Sequence, residues 1–170
     1  RLCLMEKKFF MYQILHKIYG LELTDLNKMI EGIEHVALSV SDLDKSVEFY
    51  CKYLHCEVIR IIEANTNPLL GKVVGMSGCV ARIAHLKSGP NMLELFEYTK
   101  PRGEKIPVDH KQADNVFIHA GFRSSDVRND YFKLVNEGVN FISEPVEFRK
   151  DVWICYFYGP DGEVCEIRES

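Results

Sequence analysis

Two histidines and two glutamates, far apart in the chain, are of the types that bind a metal ion and move a proton. His35 lies in Gly32-Ile33-Glu34-His35-Val36-Ala37-Leu38-Ser39-Val40-Ser41-Asp42-Leu43. His119 lies in Phe117-Ile118-His119-Ala120-Gly121-Phe122-Arg123-Ser124-Ser125-Asp126-Val127. In both stretches an aspartate follows the histidine seven residues later, so the chain repeats one pattern. Each half also ends in an apolar run with an unexpected acid, Glu94 in Met92-Leu93-Glu94-Leu95-Phe96 and Glu166 in Val164-Cys165-Glu166-Ile167. Burying a carboxylate is costly unless it is paired or bound to a metal. Alone, a strand histidine reads as an ordinary core or surface residue, and a strand glutamate as solvent-facing. One of each per repeat makes a set of two nitrogens and two oxygens. Such a set suits zinc, nickel, cobalt, iron or manganese, and leaves coordination positions for water or substrate.

The surrounding elements decide whether these side chains can meet. Alternation of apolar and polar residues predicts a strand near 33–40, and Ser41-Asp42 is a helix N-cap signal. A helix is expected over 43–54, with strands over 56–63, 79–86 and 92–98. The stretch 64–78, with Pro68, Gly71, Gly75 and Gly78, reads as a mobile loop over a pocket. The second half repeats the order: a strand over 116–123, a helix over 127–136, a strand over 139–143 and a loop over 144–151. Strands over 152–158 and 163–168 then flank the turn Gly159-Pro160-Asp161-Gly162. The expected fold is α+β, two paired β-α-β-β-β modules whose curled mixed sheets enclose a cavity. Module one spans 29–98, a polar, turn-rich linker 99–115 and module two 116–170. Residues 1–28 read as a helical extension that packs on the body or on a second subunit. Glu6, Glu22 and Asp25 argue against a targeting peptide there.

Bulk properties exclude several classes. A chain of 170 residues with 46% hydrophobic content can bury a core, and a formal net charge of −4 with no basic run argues against a nucleic-acid partner. No apolar run reaches membrane-spanning length. The six cysteines form no CxxC pair and several fall inside expected strands or a helix, which suits a reducing compartment, the cytoplasm.

His35 to Leu43, Val47-Glu48-Phe49-Tyr50, Met92-Leu93-Glu94-Leu95, Glu137-Gly138-Val139 and Gly159-Pro160-Asp161-Gly162-Glu163-Val164-Cys165-Glu166 together resemble the vicinal oxygen chelate superfamily. The resemblance covers about residues 29–169. That superfamily includes glyoxalase I, methylmalonyl-CoA epimerase, extradiol dioxygenases, fosfomycin-resistance transferases and metal-free antibiotic-binding proteins. The order His35, Glu94, His119, Glu166 looks like that of bacterial-type glyoxalase I, with a similar frame in the epimerases. It implies a divalent metal, a small substrate that chelates it through vicinal oxygens, and a homodimer, in some members with sites completed by modules of two chains. The implied reaction is an isomerisation, epimerisation or lyase step through an enediolate. Glu166 would be the base and Glu94 its partner in proton return. An iron-dependent extradiol-type dioxygenase would use His35, His119 and Glu166. A small-molecule binding or resistance protein would need no catalysis.

One position departs from the glyoxalase pattern. Where those enzymes carry an arginine that helps hold glutathione, four residues after the first histidine, this chain has Ser39. A hydroxyl cannot replace a bidentate carboxylate clamp, which argues against glutathione. Arg123 holds the matching place in module two, and Arg82, Arg149 and Lys150 are the other candidate anchors for a substrate anion. A tight turn at 159–162 would set Cys155 opposite Glu166. His16, His85 and His110 have no counterpart in the repeat.

Overall fold

The computed structural model describes Lys17 and residues 32–65, 68–107 and 109–169. Residues 1–33 and 34–170 form two separate units. The expected helical extension over 1–28 lies outside the described residues, Lys17 excepted.

Within residues 34–170 the repeat in sequence becomes a repeat in topology. Module one comprises β1 (His35–Ser39), α1 (Leu43–Leu54), β2 (Glu57–Asn65), α2 (Pro68–Val73), β3 (Val80–Ser88) and β4 (Asn91–Lys100). Module two comprises β5 (Ala120–Arg123), α3 (Val127–Asn136), β6 (Val146–Arg149), β7 (Val152–Tyr158) and β8 (Val164–Glu169). The sheets run β1-β4-β3-β2 and β5-β8-β7-β6, with the first strand of each module parallel to its last. Helices α1 and α3 start where an aspartate can accept from the first free amides. Asp42 accepts from the Lys45 amide and Asp126 from that of Asn129, each at 3.0 Å.

Three expectations are corrected. The stretch 144–151, expected as a loop, carries the strand β6 (Val146–Arg149), which pairs with β7. The stretch 64–78 carries the short helix α2, not loop throughout. Residues 139–143 form no strand. Phe141 makes a single antiparallel bridge to Phe157, then Pro145, which has no amide to donate, interrupts pairing until β6.

One core serves both modules. Val36, Leu38 and Val40 from β1 and its end, Leu93 and Leu95 from β4, and Phe122, Phe157 and Ile167 from module two belong to the same apolar cluster. Helix α1 sits within it: Phe49 packs near Phe157 and Tyr50 near Phe122, with ring centroids 6.4 and 6.3 Å apart. Two polar contacts pin the join. The Tyr50 hydroxyl donates to Glu163 Oε1 at 2.6 Å, and the Ser41 hydroxyl and amide donate to the Asp161 carboxylate. The turn before β8 is shaped for this. A Cβ on Gly159 would collide with the Glu163 carboxylate, and Gly162 adopts φ +87°, a left-handed backbone.

Candidate functional site

Strand alternation puts His35 on the face of β1 opposite Val36 and Leu38, away from the shared core. Because β1 pairs His35 with Met92, the histidine reaches diagonally to Glu94, with Nε2 3.5 Å from Oε2. Module two repeats the diagonal. Ala120 pairs with Cys165, and His119 Nε2 lies 3.3 Å from Glu166 Oε2. On the β1 and β5 side the residues across from the two glutamates are small, Ala37 and Gly121, and a Cβ on Gly121 would meet nothing within 4 Å.

Outer hydrogen bonds set the tautomer of both histidines. Glu34 Oε2 lies 2.5 Å from His35 Nδ1, and a carboxylate only accepts, so Nδ1 carries the proton. In module two the Gln112 amide nitrogen donates to the Ile118 carbonyl, which turns its oxygen to His119 Nδ1 at 3.3 Å. Both histidines therefore present the Nε2 lone pair to a carboxylate oxygen. Two facing acceptors repel unless a proton or a cation lies between them. A proton is one answer at His35, whose pKa is raised by its Glu34 hydrogen bond and by the Glu94 charge. A metal ion is the other, and histidine ligands characteristically donate their second ring N–H in this way. In donor type and tautomer, each His–Glu pair fits half of a metal centre.

The halves are not joined within one chain. Among the described residues, no three His, Cys, Asp or Glu side chains converge to hold a metal ion. The shared core explains why. Both sheets turn their apolar faces to α1, so the faces bearing the His–Glu pairs lie on the far sides of the two sheets. A pocket of about 330 Å³ does open between the modules, lined among others by Ser39, Tyr98, Lys105, His110 and His119. Neither glutamate borders it.

The other candidates fall elsewhere. Arg82 is engaged by Asp44, Glu63 and Glu97 at 3.0 to 3.3 Å, so its charge is already matched. Arg123 is exposed at the end of β5, and Arg149 and Lys150 are exposed at the β6–β7 turn. The expected pairing of Cys155 with Glu166 is a register error. Cys155 lies across from Ile167, buried on the core face, and burial pushes its thiol up to about 12. Tyr156 is the residue opposite Glu166, with its pKa raised by burial and by the Glu166 charge.

Sequence reasoning missed His85. It occupies on β3 the place that Tyr156 holds on β7, directly across from the glutamate. Its Nε2 lies 3.3 Å from Glu94 Oε1, and its Nδ1 accepts from Arg60 Nε at 3.2 Å. The signal was the alternation of β3, which sets Ile83, His85 and Lys87 opposite Ala84 and Leu86, the pair that joins the shared core.

Two β-α-β-β-β modules sharing a core, each with a His–Glu diagonal on the face away from it, are the features by which the chain is classed. The chain belongs to the Glyoxalase/Bleomycin resistance protein/Dioxygenase superfamily, whose family model matches residues 32–167. It is 30% identical over 147 residues to a 2-epi-5-epi-valiolone epimerase from Actinomyces sp, covering 80% of this chain and 78% of that protein. Its fold matches a glyoxalase family protein from Bacillus cereus at TM-score 0.76 and 17% identity, over 84% of this chain and 96% of that one. It also matches the fosfomycin resistance protein FosX from Listeria monocytogenes, solved with Mn(II) and sulfate, at TM-score 0.54 and 17% identity, over 84% and 94% of the two chains.

Proposed function

We propose that this protein is a metal-dependent epimerase or isomerase acting on a small molecule with vicinal oxygens, one of them a carbonyl. The observation that carries the reading is the duplicated diagonal: two histidines, each with its proton on Nδ1, aim Nε2 at a glutamate oxygen. His35, Glu94, His119 and Glu166 would hold the ion. The similarity to an epimerase supports a proton-transfer reaction, and the manganese in FosX supports a divalent ion. When bound, the ion supplies Lewis acidity to a substrate carbonyl.

Proton movement falls to the chain. Glu166 lies across from Gly121, which has no side chain, and the Tyr156 phenol beside it on β7 hydrogen-bonds its carboxylate. It is therefore the carboxylate placed to take a proton from the carbon next to the carbonyl and return it. Ser39 borders the pocket between the modules, so no strand-one cation waits there for a glutathione carboxylate. The four ligands would come together when module one of one copy faces module two of another, because the shared core keeps the two faces of a single chain apart.

The test is metal content of the purified protein, followed by solvent deuterium exchange on a panel of 2-epi-5-epi-valiolone, methylmalonyl-CoA, methylglyoxal–thiol adducts and catechols. The expected result is a stoichiometric divalent metal and exchange at the carbon beside a carbonyl. Glu166→Gln should retain metal and lose at least about 100-fold in exchange rate. Iron with oxygen consumption on catechols would instead indicate a dioxygenase, and absence of metal a binding protein.

A further inference from the structure

A row of polar side chains crosses module one on the face of the His–Glu pair. Register places Arg60 beside His85 and His85 beside Glu94 on three adjacent strands, and Glu94 reaches on to His35. The two histidines of this row are wired in opposite senses. His35 gives its Nδ1 proton to Glu34 and turns a lone pair toward Glu94. His85 receives a hydrogen bond at Nδ1 from Arg60 Nε, and a guanidinium has only donors. The His85 ring proton therefore sits on Nε2, 3.3 Å from Glu94 Oε1. A nitrogen carrying a proton cannot ligate a metal. Both His85 and Glu94 are largely shielded, with side-chain exposures of 12% and 13%, so little water competes for the contact.

The structure assigns His85 as a positioning residue that holds Oε1 of Glu94, so that the carboxylate offers Oε2 alone to the ion shared with His35. This assignment rests on the metal reading given above. Module two has a different partner in this place, one that also hydrogen-bonds its glutamate. There Tyr156, a phenol with no arginine fixing it among the contacts described, stands across from Glu166. The chain thus separates its two carboxylates. Glu94 is tethered by an imidazole whose tautomer Arg60 dictates, and Glu166 by a phenol that no arginine holds among the contacts described. His85 touches neither the ion nor the substrate in this scheme and acts through Glu94 alone.

The experiment has a metal-free arm and a metal arm, both on the full chain. In the metal-free arm, histidine ring nitrogens are labelled with ¹⁵N and long-range proton–nitrogen correlations are recorded, His85 being identified by its loss in His85→Gln. The expected signature is a proton on Nε2 with Nδ1 bare, and loss of that single tautomer in Arg60→Met. A proton on Nδ1 of the wild-type His85 overturns the assignment.

In the metal arm, Co²⁺ affinity is measured by chelator competition, with the visible spectrum reporting coordination. His85→Leu should bind Co²⁺ about tenfold more weakly, with an altered spectrum. His85→Gln, whose side-chain amide can donate from a similar position, should restore wild-type affinity and spectrum. Wild-type binding by His85→Leu, or binding by His85→Gln as weak as that of His85→Leu, overturns the inference while leaving the metal reading standing. Unchanged Co²⁺ binding by His35→Ala overturns the metal reading, and this inference with it.

Discussion

At the scale of single residues, polar groups that look alike do different work according to what faces them. Glu94 and Glu166 lie on open faces beside histidines, whereas Glu163, three residues from Glu166, is turned into the core to accept from Tyr50. Burial raises the Glu163 pKa, the Tyr50 hydrogen bond opposing it in part. A raised carboxylate pKa means that the folded state takes up a proton more readily than the unfolded one. Stability from this group is therefore gained as pH falls through its folded-state pKa and is absent above it. Tyr50→Phe removes the donor and leaves the carboxylate buried, at a cost of about 2 kcal/mol at neutral pH. The deficit should shrink in acid as Glu163 protonates. Urea denaturation at both pH values checks this, and equal deficits would show that the loss is only one of packing.

At the scale of elements, α1 and α3 were legible because their caps, Asp42 and Asp126, are local chemistry, whereas the short α2 falls in a stretch that reads as loop. The two modules differ at the helix exit. His55 ends α1 in the left-handed conformation, at φ 53°, where a side chain with a Cβ is strained. His55→Gly should raise stability by about 0.5–1 kcal/mol, read as a higher midpoint in thermal denaturation. No gain would mean that local contacts of the imidazole offset the strain. Strand register was less legible. The sequence shows that β7 and β8 form a hairpin around Gly159–Gly162, yet one residue of slip exchanges Cys155 for Tyr156 across from Glu166. Slip by one reverses every side chain between faces, so a pairing inferred from turn length alone chose the wrong neighbour.

At the scale of the molecule, the apolar faces of both sheets close on α1 and the polar faces are left outward. A site built from both modules then needs a second copy, and mixed dimers test that directly. Neither His35→Ala nor His119→Ala should bind metal stoichiometrically. Co-refolded in equal amounts, they should regain about a quarter of the wild-type Co²⁺ stoichiometry. Random pairing makes half the dimers mixed, and each mixed dimer has one intact site of two. If each chain built its own site, mixing would restore nothing.

The sequence by itself determined the duplicated frame, the helix caps and the four candidate ligands. All of these are properties of residue type and short-range spacing, and they recur in two copies that support each other. Only the tertiary structure decided who stands beside whom. It set His85 and Tyr156 against the two glutamates, sent Cys155 into the core and matched Arg82 with three carboxylates. It also kept the His–Glu pairs of one chain on separate faces. Cross-strand neighbours depend on register, and the facing of two sheets depends on which apolar surfaces bury each other. Neither is written in the spacing of any one segment.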